Sequence, residues 1–210
     1  MAEFRRLTDF EHILIGLVAG SPRSGYDLKR FFATTPAIVY EPSSGALYPA
    51  LRRLENRGLL RSELAVSSGN REQRRYFATE DGRQAHSRWL HQPVGPATVG
   101  RDLGMHLMRF VMAEPEFTTD ETLAFLRDLG DALDAFITAM ETFARGTSPG
   151  AGHGALALEH GLAVHRASLQ WVHHASASLT AAASAANEPA RSLPGARLTA
   201  TSPESPIESG

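Results

Sequence analysis

Cysteine is absent from the 210 residues, which excludes a disulfide framework and any thiolate-held metal. No apolar run is long enough to span a bilayer. The start of the chain, with Glu3, Arg5 and Arg6 ahead of Thr8, lacks the apolar core of a signal peptide. Both observations point to the cytoplasm. Two reaction signatures are missing as well: there is no G-x-x-x-x-G-K-S/T phosphate loop and no G-x-S-x-G nucleophile elbow. Nothing therefore marks the chain as an enzyme. His153, His160, His165, His173 and His174 crowd one region, yet no two of them are spaced i and i+4. That is the spacing that puts two imidazoles on one helix face, so the sequence implies no metal and no cofactor.

What is present fits an ordinary globular chain. Apolar residues make up 42% and charged residues 21%, and the length suits one or two small domains, each with its own core. The net charge of −2 is uninformative, but its distribution is not. Residues 1–92 hold 14 Arg or Lys against 10 Asp or Glu, a net of +4, and residues 93–210 hold 7 against 13, a net of −6. The basic half is the one suited to meeting phosphate.

Thr8 and Glu11 have the spacing of a capping box, and Phe10, Ile13, Leu14, Leu17 and Val18 follow helical periodicity. This predicts a first helix over about 8–19, broken by Gly20-Ser21-Pro22. Ser24 and Asp27 repeat the capping pattern before Leu28, Phe31 and Phe32, a short second helix ended by Thr34-Thr35-Pro36. A third helix, capped by Ser43 or Ser44, runs to about Arg57 and stops at Gly58. Leu47, Leu51 and Leu54 line its inner side. Gly45, Pro49, Arg52 and Asn56 point the other way and Tyr48 sits on the flank. Pro49, two turns in, removes a backbone bond and tends to kink. Leu60, Leu64 and Val66 alternate as a strand. Ser67 to Asn70 read as a turn, and Arg74-Arg75-Tyr76-Phe77 as the returning strand, giving a β-hairpin with a basic tip. Thr79 caps a fourth helix over about 80–91, and Gln92 to Pro96 read as a linker.

The second half reads as helical throughout. Leu103, Leu107 and Phe110 mark one helix. Thr118 with Glu121 caps a long one, in which Leu126, Leu129, Leu133, Phe136, Met140 and Phe143 keep heptad spacing. After a glycine-rich loop over 145–154, Leu158, Leu162, His165, Leu169, Val172 and Leu179 do the same. Such seams need partner helices from this chain or another. From Asn187 onward apolar residues thin out, and the segment reads as a disordered tail.

Three helices followed by a hairpin, with leucines facing one core, is the order of a winged helix-turn-helix, whose third helix lies in the major groove. Gly45 permits close backbone approach to phosphate, and free N–H groups near Ser43 and Ser44 favour an anion. Arg52 and Asn56 have donors for base edges or phosphates. The hairpin places Asn70, Arg71 and Arg74 near backbone or minor groove.

Residues 45–60, G-A-L-Y-P-A-L-R-R-L-E-N-R-G-L-L, resemble the signature of the PadR family of transcriptional regulators. S-G-Y-D-L at 24–28 is similar to its second-helix motif, and R-R-Y-F-A-T-E-D-G at 74–82 to its wing strand and following cap. Phe77 and Ala78-Thr79 depart mildly from the family's usual tyrosine and Leu-Thr there. The resemblance covers about residues 8–90. It implies a mainly α fold with a small β-hairpin: a winged helix-turn-helix DNA-binding domain at 1–92, and a helical dimerisation and ligand-sensing domain at 93–186. The tail at 187–210 lies outside both. It further implies a homodimeric repressor on inverted-repeat, double-stranded operator DNA, released by a small, often aromatic effector. The residues carried over for DNA contact are Ser44, Gly45, Tyr48, Pro49 and Arg52, with Arg71 and Arg74 from the wing.

Plainer readings stand beside these. Tyr48 either touches DNA or packs the third helix on the second. Lys29 and Arg30 fit a solvated helix face, and Arg53 carries no special sign. Trp89 and Trp171 are candidates for an aromatic ligand pocket, but each also reads as packing. Met105, Met108 and Met112 read as core or as adaptable lining. His165 reads as a buried polar residue that sets register, and Asp128, Asp131 and Asp134 as an exposed acidic face. The competing function is a winged helix that binds protein without touching DNA. The basic wing favours DNA.

Overall fold

The computed structural model describes residues 6–35, 44–66, 72–146 and 152–187. The order of elements is α1 (Asp9–Gly20), β1 (Arg23–Ser24), α2 (Gly25–Thr34), α3 (Ser44–Asn56), β2 (Leu60–Val66), β3 (Glu72–Ala78) and α4 (Glu80–Leu90). Then come α5 (Pro96–Ala113), α6 (Thr119–Gly146) and α7 (His153–Asn187). The fold is mainly α with one small antiparallel sheet, a winged helix followed by a helical region.

Side-chain caps fix where the helices begin. Thr8 accepts from the Glu11 backbone N–H at 3.2 Å while the Thr8 N–H donates to the Glu11 carboxylate at 3.0 Å. Ser24 and Asp27 make the same reciprocal pair at 3.1 and 2.9 Å, as do Thr118 and Glu121 at 3.2 and 2.8 Å. Each box satisfies two backbone donors that a helix start leaves open. Glu121 is held below the usual carboxylate range by the Thr118 backbone N–H and then its hydroxyl. Gly58 has φ +70° and ends α3. The Leu59 N–H reaches the Leu54 carbonyl at 3.0 Å and the Gly58 N–H the Glu55 carbonyl at 2.9 Å, a Schellman stop that needs a left-handed residue.

The hairpin pairs Leu60 with Ala78 through to Val66 with Glu72. The sequence reading missed the two-residue strand β1, which pairs Arg23 with Tyr76 on the far side of β3, giving the order β1-β3-β2. Two residues are too few for any alternation to register. The hairpin turn, with Asn70 and Arg71, and the cap candidate Ser43 lie outside the described residues, as does the tail from 188.

Two cores form. The first joins α1, α2, α3, the sheet and α4 around Leu14, Leu28, Leu51, Leu54 and Trp89. The second joins the start of α5 to α6 and α7 around Val99, Leu126, Leu129, Leu133 and Val172. Helix α5 differs from expectation. Leu107 on the anticipated apolar face is 37% exposed, while Met108 and Met112 are buried in the first core. The break at Asp102, with φ −152° and ψ 69°, rotates the second half of the helix so that the methionines turn inward. The anticipated glycine-rich loop is shorter too, because α6 continues to Gly146 and α7 begins at His153. His165 is half-buried, and its Nδ1 lies 2.7 Å from the Gly161 carbonyl of its own helix.

Candidate nucleic-acid interface

Helix α3 separates its faces cleanly. Leu47, Ala50, Leu51 and Leu54 are all 0% exposed. Gly45, Pro49, Arg52 and Asn56 are exposed, and Tyr48 is 42% exposed. At roughly 25 cal/mol per Å2 of apolar area, four fully buried apolar side chains anchor the helix by several kcal/mol. The exposed residues of the outward face take no part in that anchoring. The helix is continuous across Pro49, which removes the backbone bond that would otherwise reach the Gly45 carbonyl. Ser44 is the first residue of α3.

Tyr48 has a structural role as well as exposure. Its ring lies over Gly25 at the start of α2, where an added Cβ would sit 2.6 Å from Cε1. Only glycine leaves room for that ring. Beside it Tyr26 is 63% exposed. The sequence reading passed over Tyr26, although it stands in the S-G-Y-D-L motif. An aromatic in a helix pattern reads as core until its face is known.

Arg53, taken from sequence as unremarkable, links α3 to α1. Its Nε donates to the Glu11 carboxylate at 2.9 Å, and Glu11 is 1% exposed. Burial pushes the Glu11 carboxyl up, but the Thr8 backbone N–H and the Arg53 guanidinium outweigh it and hold the group below its usual range. A capping-box glutamate that is also a buried anion needs a cation, and only the tertiary arrangement shows which arginine supplies it.

On the wing, Arg74 is exposed but lies 3.5 Å from the Glu55 carboxylate near the end of α3. Ser62 donates to the same carboxylate. These contacts set the wing against the helix. Arg61 covers the Phe77 ring at 4.3 Å. Arg71 lies outside the described residues. Gly45, Tyr48, Pro49, Arg52 and Arg74 thus fall on exposed surface of α3 and the adjoining strand.

Of the two tryptophans, Trp89 is 2% exposed. Its Nε1 donates to Asp9 at 2.8 Å, and its ring stacks on His12 with centroids 5.3 Å apart and 6° between planes. The His86 ring also lies near Trp89, with centroids 5.5 Å apart. Burial, then the neighbouring His86, pushes the His12 imidazole down to about 4, and burial lowers His86 as well. Both rings are neutral near neutral pH. Trp171 is half-buried and meets Phe110 edge-on at 5.3 Å. It lines an apolar groove of about 680 Å3 with Phe31, Leu107, Val111 and Met112. No helix among the described residues is long and apolar enough to cross a membrane.

Residues 14–88 match the transcriptional regulator PadR-like family, a segment that runs from α1 through the hairpin into α4. A probable transcriptional regulator of Mycobacterium tuberculosis is 26% identical over 90 residues, 43% of this chain and 48% of the relative. The chain thus spans about half the length of that relative. Among solved structures, Bacillus subtilis PadR in complex with operator DNA aligns with a TM-score of 0.40 and 19% identity, over 82% of this chain and 99% of that one. The PadR-like regulator BC1756 of Bacillus cereus aligns with 0.38 and 22%, over 85% and 99%. Over its winged helix, residues 14–88, the chain is thus similar to the PadR-like family of transcriptional regulators.

Proposed function

We propose that the chain is a homodimeric repressor that reads an inverted-repeat operator through α3 and the wing, and that a small ligand releases it. One observation carries the reading: the outward face of α3, with Gly45, Tyr48, Pro49, Arg52 and Asn56, is exposed while its leucines are buried. Ser44, Gly45, Tyr48, Pro49 and Arg52 face the major groove in this reading, and Arg71 and Arg74 track the adjoining backbone. The exposed Tyr26 extends the same surface. Residues 1–92 act as the reading head and 93–186 as the dimerising unit.

Apolar side chains left open on the helical region support dimerisation. Val111 is 57% exposed, Phe143 65%, Leu156 57% and Val164 42%. A second copy placed across α5, α6 and α7 covers them. Two heads on one dimer match two half-sites spaced by whole turns of DNA.

Mobility shifts with the DNA upstream of the chain's own gene test the reading directly. A complex that weakens steeply with salt is expected, because phosphate contacts release counterions. Absence of a complex at low salt sinks it. Arg52→Ala is expected to weaken binding by about 1–3 kcal/mol if the guanidinium reads a base. Light scattering at micromolar concentration is expected to give the mass of two chains.

A further inference from the structure

The second-to-last residue of α3 is a glutamate, and simple electrostatics argue against one there. Glu55 lies in the last turn of α3, where the helix dipole disfavours a carboxylate. It also follows Arg52 by three residues on a helix that offers its outward face to phosphate, and phosphate would repel it. DNA reading through Tyr48 and Arg52 gives it no task.

Its surroundings are one face of the hairpin. Side chains alternate along a strand, and residues paired across two strands share a face. Ser62 pairs with Tyr76 and Leu64 with Arg74, so these four stand on the face that also carries the buried Leu60 and Ala78. Glu55 meets that face at two neighbouring levels. Ser62 donates to one carboxylate oxygen, and Arg74 Nη1 donates to the other at 3.5 Å. The Tyr76 phenol belongs to the same cluster. Burial and then the Glu55 carboxylate push it above its ordinary value, while Arg74 and Arg52 pull it down. Of the other carboxylates on the two strands, Glu63 stands on the opposite face, paired with Arg61, and Glu72 at the outer end of the ladder. Leu64, level with Arg74, is 68% exposed. The hairpin is thus open to water at the level where Glu55 ties Arg74 back to the helix. A guanidinium carries more N–H donors than this one contact uses.

We propose that Glu55 is a positioning residue for DNA reading: through Ser62 and Arg74 it fixes the angle of the wing to α3 and aims the Arg74 guanidinium at the phosphate backbone. The assignment rests on the reading above in which Arg74 tracks that backbone. An exposed ion pair contributes little to stability, so the worth of this contact lies in where it holds the cation. A wing arginine free to swing loses rotamer freedom when it meets DNA, and one already held loses less. The repulsion between Glu55 and phosphate is offset by the Arg74 charge set between them.

The test measures the affinity of the full chain for the DNA upstream of its own gene over a range of salt, with the unfolding temperature of each variant as the control for folding. Glu55→Gln keeps the shape and removes the charge. Glu55→Asp keeps the charge and shortens the reach, and it carries the test if Glu55→Gln does not fold. Both are expected to weaken the complex about threefold or more and to lower the salt slope by about one, the loss of one phosphate contact. Arg74→Ala is expected to do the same, and adding Glu55→Gln to it is expected to weaken binding no further, because the two residues act as one. A purely structural role would lower the unfolding temperature and leave the slope unchanged. An unchanged slope therefore overturns the proposal, as does a loss from Glu55→Gln that persists undiminished beside Arg74→Ala. Tighter binding by Glu55→Gln, with Glu55→Asp equal to the parent, reduces Glu55 to a repelling charge and also overturns it. These three outcomes leave the DNA reading standing. Arg74→Ala without effect, or no complex from the parent chain at low salt, overturns the DNA reading of the wing and the proposal with it.

Discussion

In the head, the 13-residue helix α3 buries four apolar side chains completely, and the glutamate that caps α1 is buried with them against Arg53. Behind it, the 35-residue α7 buries Val172 alone among its described side chains. The two regions have similar helix-forming sequences but close their cores differently. The head is satisfied within one chain. The helical region leaves Phe143, on the heptad seam of α6, and Leu156 and Val164, beside that of α7, exposed.

The largest effects should come from breaking each core in turn. Leu51→Ala removes a fully buried side chain from the head and is expected to cost about 2–5 kcal/mol, independent of protein concentration. Leu162→Ala removes a half-buried side chain from α7, and its cost is expected to be about 1 kcal/mol and to depend on concentration through dimerisation. Thermal unfolding at two concentrations separates them. Matching behaviour of the two variants removes the contrast.

Acid should next distinguish the regions. His12 is held at about 4 from an ordinary 6.5 by burial and then by His86, with Asp9 and Glu11 opposing. Burial lowers His86 too, against the pull of Glu116, and lowers His106 at the joint. A folded-state value below the unfolded one means that the unfolded chain binds more protons between pH 6.5 and about 4. Stability therefore falls as pH drops through that window. His12 alone is expected to cost about 2 kcal/mol between pH 7 and 5. The histidines of α7 are exposed or half-buried. Tryptophan emission, dominated by the loss of packing around Trp89, should therefore change before helical circular dichroism is lost. Coincident loss of both signals removes the distinction.

How much of this was legible in the sequence divides along the same line. The three capping boxes, the leucine stripe of α3 and the hairpin depend on neighbours within a few residues, and all stand in the structure. The two-residue β1, the Arg53–Glu11 pair and the Trp89–Asp9 hydrogen bond join residues 42 to 80 positions apart or lie below the length at which a pattern forms. The break at Asp102 escaped for another reason. Residues 103–113 carry apolar groups on two faces, and only the presence of a second core shows that the methionine face goes inward.

The smallest effect expected is also the one that decides what Tyr48 does. Gly25→Ala places a methyl group 2.6 Å from the Tyr48 ring, so the ring must swing away, which its exposure allows. The same substitution at the first residue of α2 improves helix propensity by up to about 1 kcal/mol, comparable in size to the cost of the crowding. Stability should therefore change little, and the unfolding temperature serves as the control. If Tyr48 meets DNA, moving its ring should weaken the operator complex several-fold, about 1 kcal/mol, with every DNA-facing group still present. Unchanged operator affinity with unchanged stability would assign Tyr48 to holding α3 against α2, and would narrow the reading surface to Gly45, Pro49, Arg52 and the wing.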